Sequence, residues 1–470
     1  MSVVQRRMNA RLLRFSTLAI LLLCTAAAFG QADREAQYKQ SIDAYVEAFN
    51  SGDDAKMSAY LTAHMADASL QQRPMAERLE RYRSMHADLK SLKLVEIADV
   101  ELSLEKQSVT AEMRAGNGET VAVSFLFDPQ PPNKLMGLRI ELGAPRAGGA
   151  PSAATSGPAP TNEDAFQRQL TGYLDDASKR DEFSGVVLVV RKGKTIFEHA
   201  YGYADKPART PSRIDTKFNL GSINKVFTRL SIEGLASEGK LSLDDTIAKF
   251  LPDYPNKEAA QKVTVRQLLD MTSGIGDFFG DRYLAAPKDK LRTLADYLPL
   301  FADKPLLFPP GTSNHYSNGG YVVLGLILEK VAGQSYYDYV KQHIFVPAGM
   351  TDTDYYFTEQ NVANRAEGYT KQAGDGKEWV NNRATRPARG SSAGGGYSTA
   401  PDLVKFAAAL ESGKFGPPSP GLGIAGGAPG VNAALEADAR AGFVVVVLSN
   451  YDPPSAERVA RQILEWTRGI

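Results

Sequence analysis

A stretch rich in glycine, proline, alanine and serine, residues 143–162, divides this chain of 470 residues into two unequal parts. The stretch lacks the apolar periodicity that a packed helix or strand needs, which is typical of a flexible linker. Each part must therefore bury its own apolar side chains. We predict a small domain over residues 33–142 and a large domain over residues 163–470.

The first thirty residues have the pattern of a secretory signal peptide. A basic segment with Arg6, Arg7, Arg11 and Arg14 precedes an apolar run over residues 15–28. The segment 28–30 (Ala-Phe-Gly) then offers the small residues that signal peptidase requires. Because the apolar run is too short for a comfortable membrane span, we expect export to the bacterial periplasm or beyond. Cleavage near Gly30 would leave no stable membrane span.

The composition argues against several classes of function. Lys plus Arg and Asp plus Glu both number 54, a balance that is unlike a dedicated binder of nucleic acid or anionic membranes. The single cysteine, Cys24, lies in the leader, so the mature protein has no disulfide and no thiolate metal site. We expect no metal and no other cofactor. The sequence does not determine the oligomeric state.

The small domain begins with helical patterns and continues with strand patterns. Helical apolar spacing begins at Tyr38 and ends at the turn 50–54, and further helical stretches cover residues 55–64 and 75–85. Four strand-like runs follow, at 92–102, 107–115, 120–127 and 135–142. This order of helices and strands, together with the segment 45–53 (Tyr-Val-Glu-Ala-Phe-Asn-Ser-Gly-Asp), resembles the nuclear transport factor two-like (SnoaL-like) cone fold. No convergent set of acids or histidines is evident, so we expect a docking or packing role.

In the large domain, a serine is followed three residues later by a lysine at the start of a helical pattern. Ser222 opens an apolar run at helical spacing, so Lys225 lies on the same helix face, beside the Ser222 hydroxyl. Free backbone N–H groups at a helix N-terminus also favour negative charge that develops there. Both features suit a nucleophilic serine. Two other pairs share the spacing without opening a helix: Ser103 with Lys106, and Ser237 with Lys240.

A second motif, residues 315–318 (His-Tyr-Ser-Asn), follows a Pro-Pro-Gly turn. The pattern predicts a helix that begins near Tyr321. Tyr316 and Asn318 would then lie on a loop held by rigid elements, which is a usual position for site residues. The same Tyr-x-Asn spacing recurs in a proline-flanked loop at 254–256, where we interpret the tyrosine as structural.

Together these motifs resemble those of the serine beta-lactamase and penicillin-binding-protein superfamily, nearest its class C beta-lactamase, esterase and D-aminopeptidase branch. Ser-x-x-Lys is a motif of this group. The resemblance runs from about Phe183 to Ser449, in the family's motif order. The matching segments are residues 218–225 (Phe-Asn-Leu-Gly-Ser-Ile-Asn-Lys), 239–245, 268–274, 315–318 and 392–403.

The expected fold of the large domain is α+β, an antiparallel sheet flanked by helices with a helical insertion, as in beta-lactamases and transpeptidases. The insertion, about residues 223–400, would carry Tyr316. The final helix, 455–466, would cover one face of the sheet. The predicted strands are residues 184–191, 194–201, 431–437 and 443–448.

The resemblance implies a role for each site residue. Ser222 would attack a carbonyl and form an acyl-enzyme. Lys225 would lower the free-energy cost of deprotonating the Ser222 hydroxyl. Tyr316, with its phenol pKa lowered by Lys225, would act as general base and then as acid to the leaving group. Asn318 would hold the substrate by its amide. The backbone N–H groups of Ser222 and Gly427 would form the oxyanion hole.

One motif departs from the family's pattern. Relatives carry Lys-Thr-Gly or His-x-Gly on the strand that lines the site, whereas the matching segment 421–434 has Ile424 at the Lys or His position. The preceding stretch, 409–421, is also short. A missing donor or charge at such a site can cost roughly 3 kcal/mol. We therefore expect either reduced activity or a preference for uncharged esters.

Three hypotheses for function remain open, and the third gives the ligand-binding role to the small domain. The first is an exported serine hydrolase that forms a Ser222 acyl-enzyme with an ester, a D-amino-acid-type amide or a beta-lactam-like substrate, either a small molecule or a peptide. The second is a catalytically weak or inactive penicillin-binding-like protein that recognises cell-wall or peptide ligands. His315 could substitute for the missing histidine, although adjacent side chains usually point apart.

Overall fold

The computed structural model describes residues 38–72, 75–102, 107–117, 120–128, 134–142, 159–372, 378–419, 421–467 and 469–470. The predicted signal peptide and most of the predicted linker lie outside these residues. The chain divides into two compact units, one within residues 1–156 and the other within residues 157–470.

In the small unit, helices precede an antiparallel sheet whose strands pair in chain order. Tyr45 and Phe49 on the first helix pack with Phe125 on the sheet to form its core. One short helix, α3, was not predicted, because its six mainly polar residues carry no apolar periodicity. The resemblance to a cone fold stays a prediction. The elements are helices 38–50 (α1), Asp54–His64 (α2), Asp67–Gln72 (α3) and Met75–Leu89 (α4), and strands Leu92–Leu102 (β1), Gln107–Ala115 (β2), Thr120–Phe127 (β3) and Leu135–Leu142 (β4).

The large unit is built on a five-stranded antiparallel sheet, and its α+β class agrees with the sequence prediction. The four predicted strands are present and a fifth, the glycine-rich edge strand β13, completes the sheet. Its strands, in spatial order, are Gly421–Ala428 (β13), Val431–Asp438 (β14), Phe443–Ser449 (β15), Gly185–Arg191 (β5) and Lys194–Tyr201 (β6).

Both faces of this sheet are covered, because successive residues of its central strands point to opposite sides. On β5, Val187 and Val189 belong to one core while Val186 and Leu188 belong to the other. The first core lies under the terminal helices, Glu163–Lys179 (α5) and Ser455–Thr467 (α16). The second core is larger and joins the sheet to the helical insertion.

The insertion between β6 and β13 is mostly helical, as predicted. Its short strands are Tyr203–Asp205 (β7), Thr210–Pro211 (β8), Phe218–Asn219 (β9), Tyr369–Thr370 (β10), Val380–Asn381 (β11) and Tyr397–Ser398 (β12). Its α-helices are Asn224–Ser237 (α6), Ile247–Phe250 (α7), Lys257–Lys262 (α8), Val265–Leu269 (α9), Asp281–Ala285 (α10), Leu298–Phe301 (α11), Asn318–Ala332 (α12), Tyr336–Val340 (α13), Val346–Ala348 (α14) and Ala400–Glu411 (α15). Single turns of tighter or wider helix cover Gly221–Ile223, Lys288–Lys290, Leu294–Tyr297, Lys341–Phe345 and Asn382–Thr385.

Within the described part of the chain, no helix has the length and apolar character needed to cross a bilayer.

Candidate active site

Ser222 lies on a tight helical turn, Gly221–Ile223, that leads directly into α6. Gly221 has a φ of +51°, and its N–H donates to the Asn219 side chain at 2.9 Å. A Cβ atom at position 221 would lie 2.9 Å from the backbone nitrogen of Gly427 on β13. Glycine is therefore required twice over, by the left-handed backbone and by the close approach of the edge strand.

Lys225 lies on the first turn of α6 and is buried. Its Nζ is 2.6 Å from Asn318 Oδ1, 2.6 Å from the Ala393 carbonyl oxygen and 3.2 Å from Ser222 Oγ. Burial lowers the pKa of the Lys225 ammonium to about 7, although the Asp277 carboxylate acts in the opposite direction. A substantial fraction of Lys225 is therefore neutral near neutral pH.

Tyr316 precedes α12 and reaches the same serine. Its hydroxyl donates to Ser222 Oγ at 2.5 Å, and Lys225 Nζ lies 4.6 Å from the centroid of its ring. Partial burial raises the pKa of the Tyr316 phenol, and the hydrogen bond to Ser222 opposes that rise only in part. The expectation that Lys225 lowers this pKa is therefore wrong. Desolvation penalises the phenolate, and Lys225 has itself lost much of its charge.

Asn318 is the first residue of α12 and is not on a loop, because Ser317 caps the helix three residues earlier than predicted. Its amide is held at both ends: Oδ1 accepts from Lys225 Nζ, and Nδ2 donates to Asp277 Oδ2 at 2.6 Å. These contacts fix the orientation of the amide, since only its oxygen can accept from the lysine. The predicted substrate-holding role of Asn318 stays a prediction.

The edge strand β13 lies against the Ser222 turn. A Cβ atom at Gly426 would be 2.7 Å from Ser222 N, so this face of the strand meets the serine. Ile424 points to the same face, because strand side chains alternate, and it is partly buried against the larger core. Gly427 brings its backbone nitrogen beside Gly221 without a side chain in the way. The face therefore presents isoleucine at the position for which the sequence resemblance predicts a lysine or a histidine.

Neither His315, the candidate substitute for the missing histidine, nor His343 or Tyr397 is hydrogen-bonded to Ser222. His315 is exposed, and His343 stacks on Tyr339 of its own helical segment. Tyr397 is buried in the strand pair β12–β9 and accepts a hydrogen bond from Arg386. These positions support the fold around the site.

Sequence reasoning missed two participants, the Asp277 side chain and the Ala393 carbonyl. The motif 268–274 was recognised, but Asp277 follows it by three residues and has no local pattern of its own. Its partner Asn318 is 41 positions away. A backbone carbonyl carries no sequence signal at all. Among the described residues, no three His, Cys, Asp or Glu side chains are grouped in a way that could hold a metal ion.

Comparison with known proteins identifies relatives of the large unit. The profile of the family described as Beta-lactamase matches residues 166–420, which is more than half of the chain. Penicillin-binding protein 4* of Bacillus subtilis is 33% identical over 208 residues, or 43% of this chain and 45% of that protein. The putative penicillin-binding protein PbpX of the same organism is 30% identical over 53% of this chain and 59% of its own length. The chain thus spans about half the length of these curated relatives.

Solved structures extend the comparison to almost two thirds of the chain. A penicillin-binding protein from Bacillus halodurans superposes with a TM-score of 0.57 at 29% identity, covering 63% of this chain and 98% of that one. A D-amino acid amidase from Ochrobactrum anthropi SV3, complexed with L-phenylalanine amide, superposes with a TM-score of 0.52 at 25% identity, covering 64% and 97%. In this chain, Lys225 Nζ and the Tyr316 hydroxyl both contact Ser222 Oγ. The chain belongs to the Beta-lactamase family of serine hydrolases.

Proposed function

We propose that this protein is an exported serine hydrolase that forms an acyl-enzyme at Ser222 with an ester or a D-amino-acid-type amide. The observation that carries the proposal is the pair of contacts to Ser222 Oγ, from Lys225 Nζ at 3.2 Å and from the Tyr316 hydroxyl at 2.5 Å. A nucleophile with a neighbouring base and a second proton carrier is the arrangement that acyl transfer needs. The amidase relative supports the amide as a substrate class.

In the proposed mechanism, neutral Lys225 accepts the Ser222 proton. Two of its N–H groups point to Asn318 Oδ1 and the Ala393 carbonyl, which can only accept. The lone pair of the neutral amine is then directed at Ser222. The Ser222 oxygen attacks the substrate carbonyl, and the electron pair displaced onto the carbonyl oxygen is stabilised by the backbone N–H groups of Ser222 and Gly427.

Tyr316 serves as proton donor to the leaving group in this scheme, since its raised pKa keeps it a phenol. As the tetrahedral intermediate collapses, the bond to the leaving oxygen or nitrogen breaks and that atom takes the Tyr316 proton. The Lys225 ammonium restores the proton to Tyr316. Water then attacks the acyl-enzyme, gives one proton to the same pair of groups and releases the acid with Ser222 regenerated.

A second candidate, a binding protein without turnover, is favoured by one observation. Ile424 occupies the site-facing position on β13 where relatives carry a lysine or histidine. A site without that cation could retain a ligand that it hydrolyses slowly, such as a cell-wall peptide. Turnover that disappears in Ser222→Ala would exclude this candidate.

The test is covalent labelling with a fluorophosphonate, followed by mapping of the adduct by mass spectrometry. We expect labelling at Ser222 and none in Ser222→Ala. Ser237→Ala is the matched control, because Ser237 and Lys240 have the same spacing and the Ser237 hydroxyl is used only by the helix backbone at Gly234. Folded protein that is not labelled at Ser222, with no turnover of any activated ester, would refute the hydrolase proposal.

Export is a separate part of the proposal and rests on the leader. Expression of the full chain in a bacterial host should yield mature protein in the periplasm or medium, with an N-terminus close to residue 31. Recovery of the uncleaved chain from the cytoplasm would refute it.

A further inference from the structure

Three large apolar side chains are exposed on two neighbouring segments of the insertion. Phe279 is 52% exposed, Leu284 76% and Leu307 38%. The Phe279 ring contacts the rings of Phe278 and Tyr283, with centroid distances of 4.4 and 4.8 Å. Phe279 therefore belongs to a cluster of packed aromatic rings. We call Phe279, Leu284 and Leu307 the apolar rim. Such a group of exposed apolar side chains commonly marks a binding surface.

The segment 274–277 links one member of the apolar rim, Leu307, to the start of α12 at the active site. The Gly276 carbonyl accepts a hydrogen bond from Ser317 at 3.0 Å, and Asp277 holds Asn318. On its other side, the same segment contacts Leu307, whose N–H donates to the Gly274 carbonyl at 2.7 Å and whose side chain lies 3.7 Å from the Cβ position of Gly276. The segment 274–277 therefore contacts Leu307 as well as Ser317 and Asn318, and Asn318 in turn accepts a hydrogen bond from Lys225.

The charges near this surface are unsuited to an anionic substrate. Asp277 contributes a negative charge between the rim and Lys225. Lys288 is the cation beside the Tyr283 ring, but its ammonium is occupied by the backbone carbonyls of residues 283, 284 and 286. Arg282 is paired with Asp303.

Ile424 and Gly426 form the face of β13 that meets the Ser222 turn, and both are apolar. Of the charged side chains in the described residues, Lys225 is the one with a contact to Ser222, and its hydrogen bonds go to Asn318, Ala393 and Ser222 itself. A substrate carboxylate would therefore meet the Asp277 charge, while Lys225, the described cation that contacts Ser222, is already engaged by Asn318 and the Ala393 carbonyl.

We propose that the apolar rim binds the hydrocarbon part of an uncharged substrate, so that the enzyme selects neutral acyl esters or amides with an apolar chain and disfavours those with a carboxylate beside the scissile bond. This inference rests on the proposed hydrolase function and names its substrate class. The rim supplies the binding free energy, because apolar area removed from water is favourable at roughly 25 cal/mol per Å².

The first experiment measures kcat/KM for p-nitrophenyl esters of increasing acyl length, from acetate to hexanoate, and for the p-nitrophenyl monoester of succinic acid. The leaving group is constant, so differences report the acyl part. We expect kcat/KM to rise by about twofold to fourfold for each CH2 that reaches the rim. The succinyl ester should be slower than the butyryl ester, which has the same number of acyl carbons, by roughly tenfold at low salt.

Substitutions test which residues cause the dependence on acyl length and the discrimination against the succinyl ester. Phe279→Ala and Leu307→Ala should flatten the dependence of kcat/KM on acyl length, so that the ratio of hexanoate to acetate hydrolysis falls at least about threefold in each variant. Val346→Ala is the matched control, because Val346 is 67% exposed on α14 and lies outside the rim. Ile424→Lys should raise the ratio of succinyl to butyryl hydrolysis about tenfold, whereas Ile424→Met should leave the ratio unchanged.

The outcomes separate this inference from the function on which it rests. A flat or falling dependence on acyl length, or a faster succinyl ester, would overturn the inference while hydrolysis at Ser222 stood. Chain-length dependence that survives in both rim variants would overturn it as well. Absence of turnover with every ester, together with absence of fluorophosphonate labelling, would overturn both.

Discussion

At the scale of single residues, the protonation of Lys225 sets the pH range in which Ser222 can be activated. The pKa of Lys225 is lowered to about 7 by burial. Below that pH the amine is protonated and cannot accept the serine proton, so kcat/KM for a neutral ester should fall about tenfold per pH unit. Above it, the rate should reach a plateau. A pH–rate profile from pH 5 to 9 measures the midpoint, and a rate that declines between pH 7 and 9 would contradict Lys225 as base.

Substitution of the lysine tests the same assignment. Lys225→Arg keeps a positive charge but cannot deprotonate, so kcat/KM should fall by about 10²–10⁴. Lys240→Arg, at the Ser-x-x-Lys pair that begins at Ser237, should leave the rate unchanged. Equal activity in wild type and Lys225→Arg would show that charge alone is needed at this position.

Asp277 is expected to tune Lys225 through Asn318. Asp277→Asn retains an oxygen that can accept from the Asn318 amide but removes the charge that raises the pKa of Lys225. The midpoint of the pH–rate profile should therefore move to lower pH. Asp281→Asn, four positions away at the start of α10, should not move it. Loss of rate at an unchanged midpoint would assign Asp277 a structural role only.

At the scale of elements, contact between β13 and the Ser222 turn depends on glycine. A Cβ atom at Gly426 would lie 2.0 Å from the Leu220 carbonyl oxygen and 2.7 Å from Ser222 N, both of which are backbone atoms. Gly426→Ala should therefore push the strand away from the turn and reduce fluorophosphonate labelling by at least about tenfold, with a loss of stability of roughly 1–3 kcal/mol.

The same strand provides a matched control for that substitution. A Cβ atom at Gly423 would meet only the far end of the Glu436 side chain, which can rotate away. Gly423→Ala should keep both labelling and melting temperature close to wild type. Normal labelling in Gly426→Ala would mean that the strand and the turn can separate without consequence for the site.

The start of α12 illustrates where sequence patterns fail at this scale. Two consecutive glycines, Gly319 and Gly320, disfavour helix, so the pattern predicts a start at Tyr321. The helix nevertheless begins at Asn318, since Ser317 caps it. A Cβ atom at Gly319 would lie 2.4 Å from the Gly276 carbonyl oxygen. A contact with a distant segment therefore requires the residue type that weakens the local signal.

At the scale of the whole molecule, the sheet could be predicted because its strands carry the signal in themselves. The run 443–448 is continuously apolar, as expected for a strand covered on both faces. Ser222 and Lys225 could be paired because the helix places them three residues apart. Asp277 and Ala393 could not, since their positions beside Asn318 and Lys225 depend on how the insertion folds. Local chemistry is therefore predictable here, while the electrostatic environment that adjusts it is not.

We predict that the large unit is sufficient for hydrolysis and that the small unit is dispensable for it. Each unit has hydrophobic clusters of its own, and the cluster of the small unit lies around Tyr45 and Phe125. Every residue that contacts Ser222 belongs, among those described, to the large unit. A chain that begins at residue 157 retains α5 and the segment at Pro160 that meets Gly469 near the C-terminus. It should fold, melt cooperatively and label at Ser222 as efficiently as the full chain.

A shorter chain that begins at residue 181 is the comparison that makes this truncation informative. It loses α5, whose Phe166, Leu170 and Leu174 fill the core on one face of the sheet. Removal of three large apolar side chains from a core costs several kcal/mol, so this version should be insoluble or unfolded. If the chain from residue 157 also fails to fold, or folds without labelling at Ser222, then the small unit supports the active site directly and its predicted docking role has to be replaced by a structural one.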